Sequence, residues 1–308
     1  MSESAHTSGH GNGHVVQSLS INLAIAAIKT AAALVTGSGA MMAEALHSFS
    51  DTANQLLLLV GLRQAKREAD EQHPFGYGRA LYFWSFLVAL MLFLGGGVFS
   101  VYEGMHKLSH PEPVEYPALG LGVLGISLLL EGTAVLSNLR DMKKRRAGKP
   151  LWAYLKDTKD SDLVVVFAEN AAAVFGLLFA MSALGLAWTT GNGQWDAAGC
   201  MAVGLVLIVV AGFLAIKIHS LLLGEAADSS IVHAVEAHAH SFPEVLRVIH
   251  VRAVQQGPGE VLVAVKLAVT PSISSHALCT LINDFEAKLR AEHPEVKYCF
   301  VEPDTLRA

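Results

Sequence analysis

The sequence predicts an α-helical membrane protein with six transmembrane helices, followed by a small α+β domain. Of the 308 residues, 52% are hydrophobic and only 16% are charged, which is too few charges for an ordinary soluble protein. Six apolar stretches reach the ~20 residues that a helix needs to cross a bilayer core of ~30 Å. After about Ala226 the pattern changes to short alternating segments, which are typical of a soluble domain.

The apolar stretches define a predicted six-helix transmembrane domain, residues 15–222. They are Val15–Val35, Ala40–Leu62, Leu81–Tyr102, Ala118–Leu139, Leu163–Ala187 and Ala197–Ile218. The first span is the most polar, since it contains Lys29 among other polar residues, and we expect a mobile or partly buried helix there.

Residues 1–14 precede the first span as a Gly/Ser-rich tail, which we expect to be disordered. His6, His10 and His14 recur in it at intervals of four. Weak metal collection and a solvated spacer are both consistent with this pattern. The tail lacks a basic region ahead of the first apolar run, so we expect no cleaved signal peptide.

The distribution of basic residues predicts the orientation of the helices. The loops after the second and fourth spans carry twelve lysine and arginine residues, whereas the opposite loops carry only Lys107. By the positive-inside rule, both termini are expected in the cytoplasm or its equivalent. We expect a multi-pass protein of a bacterial inner membrane.

Residues 223–308 are predicted to form a cytoplasmic regulatory and dimerisation domain with the order αββαβ. Its predicted elements are a helix at Ser229–Ser241, strands at Val245–Val254 and Val261–Val269, a helix from Ser274 or Ser275, and a strand at Val296–Val301. In the second strand, alternate residues are valine or leucine, as expected for one buried face. A domain of roughly 80 residues is marginal alone, so dimerisation is plausible.

Ionisable side chains inside the second span mark the candidate functional site. His47 and Asp51 are four residues apart, so they lie on one face of a helix. An imidazole and a carboxylate in this arrangement can hold a divalent transition metal, whereas a lone buried histidine often only bonds a neighbour. We expect Asn54 to steady Asp51 from the next turn, and Glu44 to orient the imidazole or line an exit path.

The fifth span offers partners for this pair, in the stretch "FAENAAAVFG". At ~1.5 Å of rise per residue, Asp51 and Asn170 lie about 16 and 12 Å from the cytoplasmic ends of their spans, so they can meet. A four-coordinate site could then take His47, Asp51 and two oxygens from Glu169 and Asn170. We interpret Glu131, a third buried acid, as a hydrogen-bonded structural anchor.

Several stretches of the chain resemble a known family. They read "SGAMMAEALHSFSDTANQLLLLVGL", "DEQHPFGYGRALYFWSF" and "SLLLGEAAD". Together with the αββαβ tail they closely resemble the cation diffusion facilitator family of transporters for zinc and other divalent metals. The resemblance covers nearly the whole chain. It implies a homodimer, a metal site between helices two and five, a cytoplasmic ferredoxin-like domain, and exchange of metal for protons.

The ligand set that this resemblance implies is only partly matched. His47 and Asp51 match the family's His-x-x-x-Asp in helix two. Many members carry a second such motif in helix five, where this chain has Val166 and Asn170. One branch has Glu-Asp instead, which implies Glu169 as the third ligand and Asn170 as a neutral fourth. Losing an imidazole and a charge should weaken zinc binding, and harder ions such as manganese or iron are then favoured.

A secondary family site lies in the loop after helix two. Asp70 and His73 match its Asp-x-x-His, but Tyr77 stands at a position that is often histidine. The alternative to a metal site is a loop folded by its proline and glycines.

The C-terminal domain contains another site at which only some of the family's ligand positions carry a metal-binding residue. His250, His276 and Glu302 fall at positions that resemble cytoplasmic zinc ligands. Lys266 stands at a further histidine position, and an ammonium group cannot ligate a metal. Metal binding in the tail and dimerisation without metal therefore both remain open.

The function predicted from these residues and the resemblance is efflux of a divalent cation, zinc first, with protons as the counter-ion. Manganese, iron, cobalt and cadmium are the other cations considered. The alternative is a scaffold or metal-sensing protein of the same family that no longer transports. No nucleophile–base pair stands out, so we do not expect an enzyme. A net charge of −5 gives no indication of nucleic-acid binding, and the expected partners are a second copy and the lipid bilayer.

Overall fold

The structure is a computed structural model that describes residues 8–111, 113–146 and 148–305. The chain divides into two compact units. One comprises Met1–Val60, Trp84–Thr158 and Asp162–Lys217, and the other comprises Gly61–Phe83, Lys159–Ser161 and Ile218–Ala308. His6 and the side chains of His10 and His14 lie outside the part of the chain that the structure describes, so the prediction for these tail histidines stays a prediction.

The predicted α-helical membrane architecture is confirmed, with six long helical segments. They are α1 (Ser8–Thr36), α2 (Gly39–Ala65), α3 (Ala80–Met91) continuing through a π-helical turn (Leu92–Val98) into α4 (Phe99–Ser109), α5 (Pro117–Arg145), α7 (Ser161–Thr190) and α8 (Gln194–Leu223). Among the described helices, Ala80–Ser109, Pro117–Arg145, Leu163–Thr190 and Gln194–Leu223 are long and apolar enough to cross a membrane, and Asn22–Thr36 is a shorter apolar helix.

Besides helices and strands that extend by a few residues past their predicted ends, the structure differs from the prediction at two places. Helix α1 begins at Ser8, so residues 8–14 are helical rather than part of a disordered tail. A short helix α6 (Leu151–Asp157) lies in the basic loop after α5, where no element was predicted. Pro150 precedes it, and a proline is well tolerated at the start of a helix because it has no N–H to leave unpaired.

The start of α2 is fixed by a side chain from α8. The Asp196 carboxylate accepts hydrogen bonds from the Ser38 hydroxyl and the Gly39 backbone N–H, both at 2.5 Å. Because the first N–H groups of a helix lack partners within the helix, this carboxylate adds to the cap that the Ser38 hydroxyl oxygen provides for the Met41 N–H. Gly37, at φ 64°, ends α1 in the left-handed conformation that favours glycine.

The C-terminal elements confirm the predicted order αββαβ. They are α9 (Ser229–His240), β1 (Val245–Gly257), β2 (Glu260–Val269), α10 (Ser275–Glu292) and β3 (Val296–Asp304). The central strand β2 pairs antiparallel with β1 and parallel with β3. Its alternate residues are buried as predicted, with Val263, Val265 and Leu267 packed in a core that includes Phe285 of α10.

The loop between α2 and α3 packs on this sheet, within the same unit. The Phe75 ring lies edge-on to the Tyr298 ring of β3, with centroids 5.3 Å apart. Gly78 lies against Gly257 so closely that a Cβ on Gly257 would fall 2.7 Å from the Gly78 Cα. The glycine on each side is therefore needed for the contact.

Candidate functional site

Helix α2 places His47 and Asp51 side by side, as their spacing predicts. His47 Nδ1 lies 3.5 Å from Asp51 Oδ1. His47 is fully buried, and the Asp51 side chain is 20% exposed. Both ring nitrogens of His47 and Oδ1 of Asp51 lack a hydrogen-bond partner among the described residues. The pair is thus a buried donor set with unused capacity.

A cavity of about 220 Å³ opens beside Asp51. Its lining contains three carboxylates and three amides, namely Asp51, Glu131, Glu169, Asn22, Gln55 and Asn170. Three of the four predicted ligands therefore line one cavity, while His47 is not among its lining residues and precedes the lining residue Ser48 in sequence. A polar cavity of this charge attracts cations.

Glu169 connects α7 to α2. It is only 6% exposed although it ends in a carboxyl group. The Asn54 amide donates a hydrogen bond of 2.6 Å to Glu169 Oε1. The sequence suggested that Asn54 would steady Asp51, and the structure shows it bound to Glu169 instead. The bond spans the two helices because Asn54 continues the α2 face that points toward α7.

The predicted ligands do not form a closed metal site. Within residues 8–111, 113–146 and 148–305, no group of three or more His, Cys, Asp or Glu side chains is close enough to hold a metal ion. The arrangement is one of paired contacts: His47 with Asp51, and Asn54 with Glu169. A cation bound by all four predicted ligands would need them to move closer.

Sequence reasoning missed the role of Lys29. Its side chain is 1% exposed, with Nζ 3.4 Å from Glu44 Oε2 and 2.8 Å from Ser48 Oγ. Glu44 thus pairs with α1 and does not orient the imidazole of His47. A signal was present, because a lysine in a predicted span needs a buried acid, and Glu44 lies in the next span.

Glu131 also lies at the cavity. It lines the same cavity as Asp51 and Glu169, and its interpretation as a hydrogen-bonded structural anchor stays a prediction. Helix α5 therefore contributes a third acid to the polar cavity.

The loop pair Asp70 and His73 is held by contacts inside the loop. Asp70 Oδ2 accepts a hydrogen bond of 2.7 Å from the Tyr77 hydroxyl, and Oδ1 accepts from the backbone N–H of Gln72 and of His73. The bond from Tyr77 and the backbone bonds lower the pKa of the Asp70 carboxyl. Both oxygens are already engaged, which favours the folded-loop alternative.

The tail residues form a row across the sheet. His250 pairs in register with Lys266, and Lys266 with Glu302. Lys266 Nζ lies 2.7 Å from Glu302 Oε1 and 3.0 Å from Asp304 Oδ2, and these contacts raise the pKa of the lysine. His276 is exposed on α10. A lysine therefore already neutralises the acid that was considered as a zinc ligand.

Comparison with known proteins agrees with the resemblance. A family model for the cation efflux transmembrane domain matches residues 15–223. "Proton-coupled zinc antiporter SLC30A9, mitochondrial" of Xenopus laevis is 34% identical over 235 residues, which is 76% of this chain and 42% of that protein. "Metal tolerance protein C4" of Arabidopsis thaliana is 33% identical over 221 residues, 71% of this chain and 48% of that protein.

The chain spans about half the length of these curated relatives. Among solved structures, a MamM-CTD is 18% identical and covers 26% of this chain and 95% of its own, with a TM-score of 0.24. The matched family is one of cation efflux transporters and not of enzymes. Because the model of the family's transmembrane domain matches residues 15–223, the chain belongs to the cation diffusion facilitator family.

Proposed function

We propose that this protein exports a divalent metal cation, zinc first, in exchange for protons. The cation binds between α2 and α7, with His47, Asp51, Glu169 and Asn170 as ligands. The family match and the proton-coupled zinc antiporters among the relatives support this proposal.

One observation carries the proposal: His47 is fully buried, and neither of its ring nitrogens has a hydrogen-bond partner among the described residues. Leaving a buried polar group unsatisfied costs about 1–3 kcal/mol. A metal cation satisfies the imidazole and draws on the unpartnered Oδ1 of Asp51 at the same time. A bound cation therefore accounts both for the unpartnered ring nitrogens of His47 and for the unpartnered oxygen of Asp51, whereas a purely structural role for the histidine explains neither.

Glu169 and Asn170 complete the ligand set from the opposite side of the cavity. Both line the cavity that Asp51 lines, and the bond from Asn54 holds Glu169 Oε1 toward α2. The second carboxylate oxygen of Glu169 is then available to a cation. Closure of the site requires His47 to turn toward the cavity by rotation of its side chain.

The donor set also bears on metal choice. It offers one imidazole nitrogen against carboxylate and amide oxygens. Oxygen-rich sets suit harder cations such as manganese better than sets with two imidazoles do. Preference for manganese or iron is therefore the second candidate within the same transport function.

Proton exchange follows from the chemistry of the ligands. An imidazole must be neutral to ligate, so metal binding releases protons and protonation favours metal loss. Histidine ordinarily titrates near pH ~6.5, within reach of physiological gradients. When the site opens to a more acidic side, protons compete for His47 and Asp51 and the cation leaves.

The proposal extends to orientation and assembly. Both termini lie in the cytoplasm or its equivalent, the membrane is a bacterial inner membrane, and the protein works as a homodimer through its C-terminal domain. The basic loops after α2 and α5 support the orientation. The Lys266 contacts with Glu302 and Asp304 support a dimer that needs no metal in the tail.

The test is cation uptake into proteoliposomes, with zinc, manganese, iron, cobalt and cadmium each offered in turn. Uptake of at least one cation that is lost in His47→Ala and kept in His110→Ala, a matched change at an exposed histidine, is the expected result. Absence of uptake for every cation, with zinc still bound, would instead favour the non-transporting scaffold or sensor.

A further inference from the structure

We infer that Lys29 is a resident cation that weakens metal binding at the neighbouring site and so promotes metal release. The inference rests on the proposed function, because it assigns to a residue beside the proposed ligands a role in setting metal affinity. Lys29 does not ligate the metal. It acts through its charge, which is of the same sign as the cargo.

The geometry places this charge in contact with a residue that lines the cavity. Lys29 Nζ lies 2.8 Å from Ser48 Oγ, and Ser48 both lines the cavity and follows His47 in sequence. Ser48 and Asp51 are three residues apart on α2, so the ammonium group lies about one helical turn from the carboxylate. A divalent cation at Asp51 therefore binds close to a fixed positive charge.

The other side of Lys29 is apolar. A second cavity, of about 180 Å³, lies between α1 and α5 and is lined by Lys29 together with Ile28, Val123, Ile126 and Leu130. Lys29 itself is 1% exposed. Charges interact more strongly in such surroundings than in water, because screening is weak.

Glu44 is the counter-ion that keeps Lys29 in place. The carboxylate is fully buried on α2, and Gly176 of α7 leaves it room, since a Cβ on that glycine would collide with Glu44 Oε1. The ion pair is long at 3.4 Å, and Glu44 Oε1 has no hydrogen-bond partner in the described part of the chain. An ion pair with these contacts is weak evidence for stability, because apolar residues of similar size often serve at least as well.

The pair has a predictable electrostatic signature. Together, Lys29 and Glu44 contribute no net charge to the site. Removing the ammonium alone leaves an extra negative charge, which tightens metal binding, whereas removing the carboxylate alone leaves a positive charge, which weakens it. Removing both returns the local charge to its starting value. A structural role would instead make both single changes harmful in the same direction.

The experiment measures zinc affinity by calorimetry on the purified full chain in lipid nanodiscs. Lys29→Met is expected to bind zinc at least about tenfold more tightly, and Glu44→Gln at least about tenfold more weakly. The double variant Lys29→Met/Glu44→Gln is expected within about threefold of the unchanged protein. Lys29→Arg, which keeps the positive charge, is expected to bind zinc with the affinity of the unchanged protein. In proteoliposomes, Lys29→Met is expected to release metal more slowly.

Melting temperatures separate charge from folding. The inference is overturned if Lys29→Met leaves zinc affinity unchanged or weakens it, or if the double variant is no closer to the unchanged protein than Glu44→Gln is. If Lys29→Met does not fold, the zinc affinity of Glu44→Gln still tests the inference. His47→Ala in the same titration isolates the proposed function. If His47→Ala binds zinc as the unchanged protein does, the ligand assignment fails, whatever Lys29 does.

Discussion

The hydrogen bond between Asn54 and Glu169 offers a direct test of how α2 and α7 build the site. Asn54 is fully buried, Glu169 is 6% exposed, and the bond measures 2.6 Å. Asn54→Ala removes the donor and leaves Glu169 Oε1 buried without it. A hydrogen bond to a charged group contributes about 1.5–3 kcal/mol.

We expect this loss to appear as weaker zinc binding, because Glu169 is no longer held toward α2. The range above limits the reduction in affinity to about a hundredfold, at 1.4 kcal/mol per factor of ten. Only the part of the bond energy that differs between the metal-free and metal-bound protein changes the affinity. The assay is calorimetric titration of zinc, with melting temperature as the measure of folding. Asn138→Ala is the matched control, since Asn138 Nδ2 lacks a hydrogen-bond partner within the described residues. Unchanged zinc affinity in a folded Asn54→Ala protein would refute the role given to Glu169.

Three further predictions concern the ligands and the tail. His47→Ala and Asp51→Ala should each abolish transport in a folded protein, because either change removes a ligand from the site. The control Asp141→Ala, at an exposed carboxylate, should leave transport intact. Wild-type transport rates in Asp51→Ala would refute the assignment of Asp51 as a ligand. Asn170→Asp should tighten zinc binding by adding an anionic ligand and slow metal release, and no change in affinity or turnover would mean that Asn170 faces away from the metal. The dimer should survive EDTA, because Lys266 already neutralises Glu302, and monomers in analytical ultracentrifugation would contradict this.

Much of the fold could be predicted from the sequence because its signals are local. Apolar stretches long enough to span a bilayer identify helices without knowledge of their neighbours. The alternation of Val261, Val263, Val265 and Leu267 likewise identifies β2 and its buried face. Helix α6 and the early start of α1 at Ser8 could not be predicted, because neither segment has an apolar pattern of spanning length.

The candidate site was predictable only within a single helix. The spacing of His47 and Asp51 predicts their contact, because four residues return a helix to the same face. The bonds from Lys29 to α2 and from Asn54 to Glu169 depend on how neighbouring helices are rotated about their axes. Polarity alone does not determine that rotation. The place of Glu131 in the lining of the cavity likewise depends on the rotation of α5 about its axis.

The most direct test of the central claim is zinc efflux from proteoliposomes under an imposed pH gradient, between about pH 6 and 8, with the membrane potential clamped. The proposed exchange at His47 and Asp51 predicts that acidifying the side that receives the metal accelerates efflux, because protons displace the cation from its ligands. His47→Asp should retain some transport with an altered dependence on pH and on the metal offered. Efflux that does not respond to the pH gradient would contradict the account.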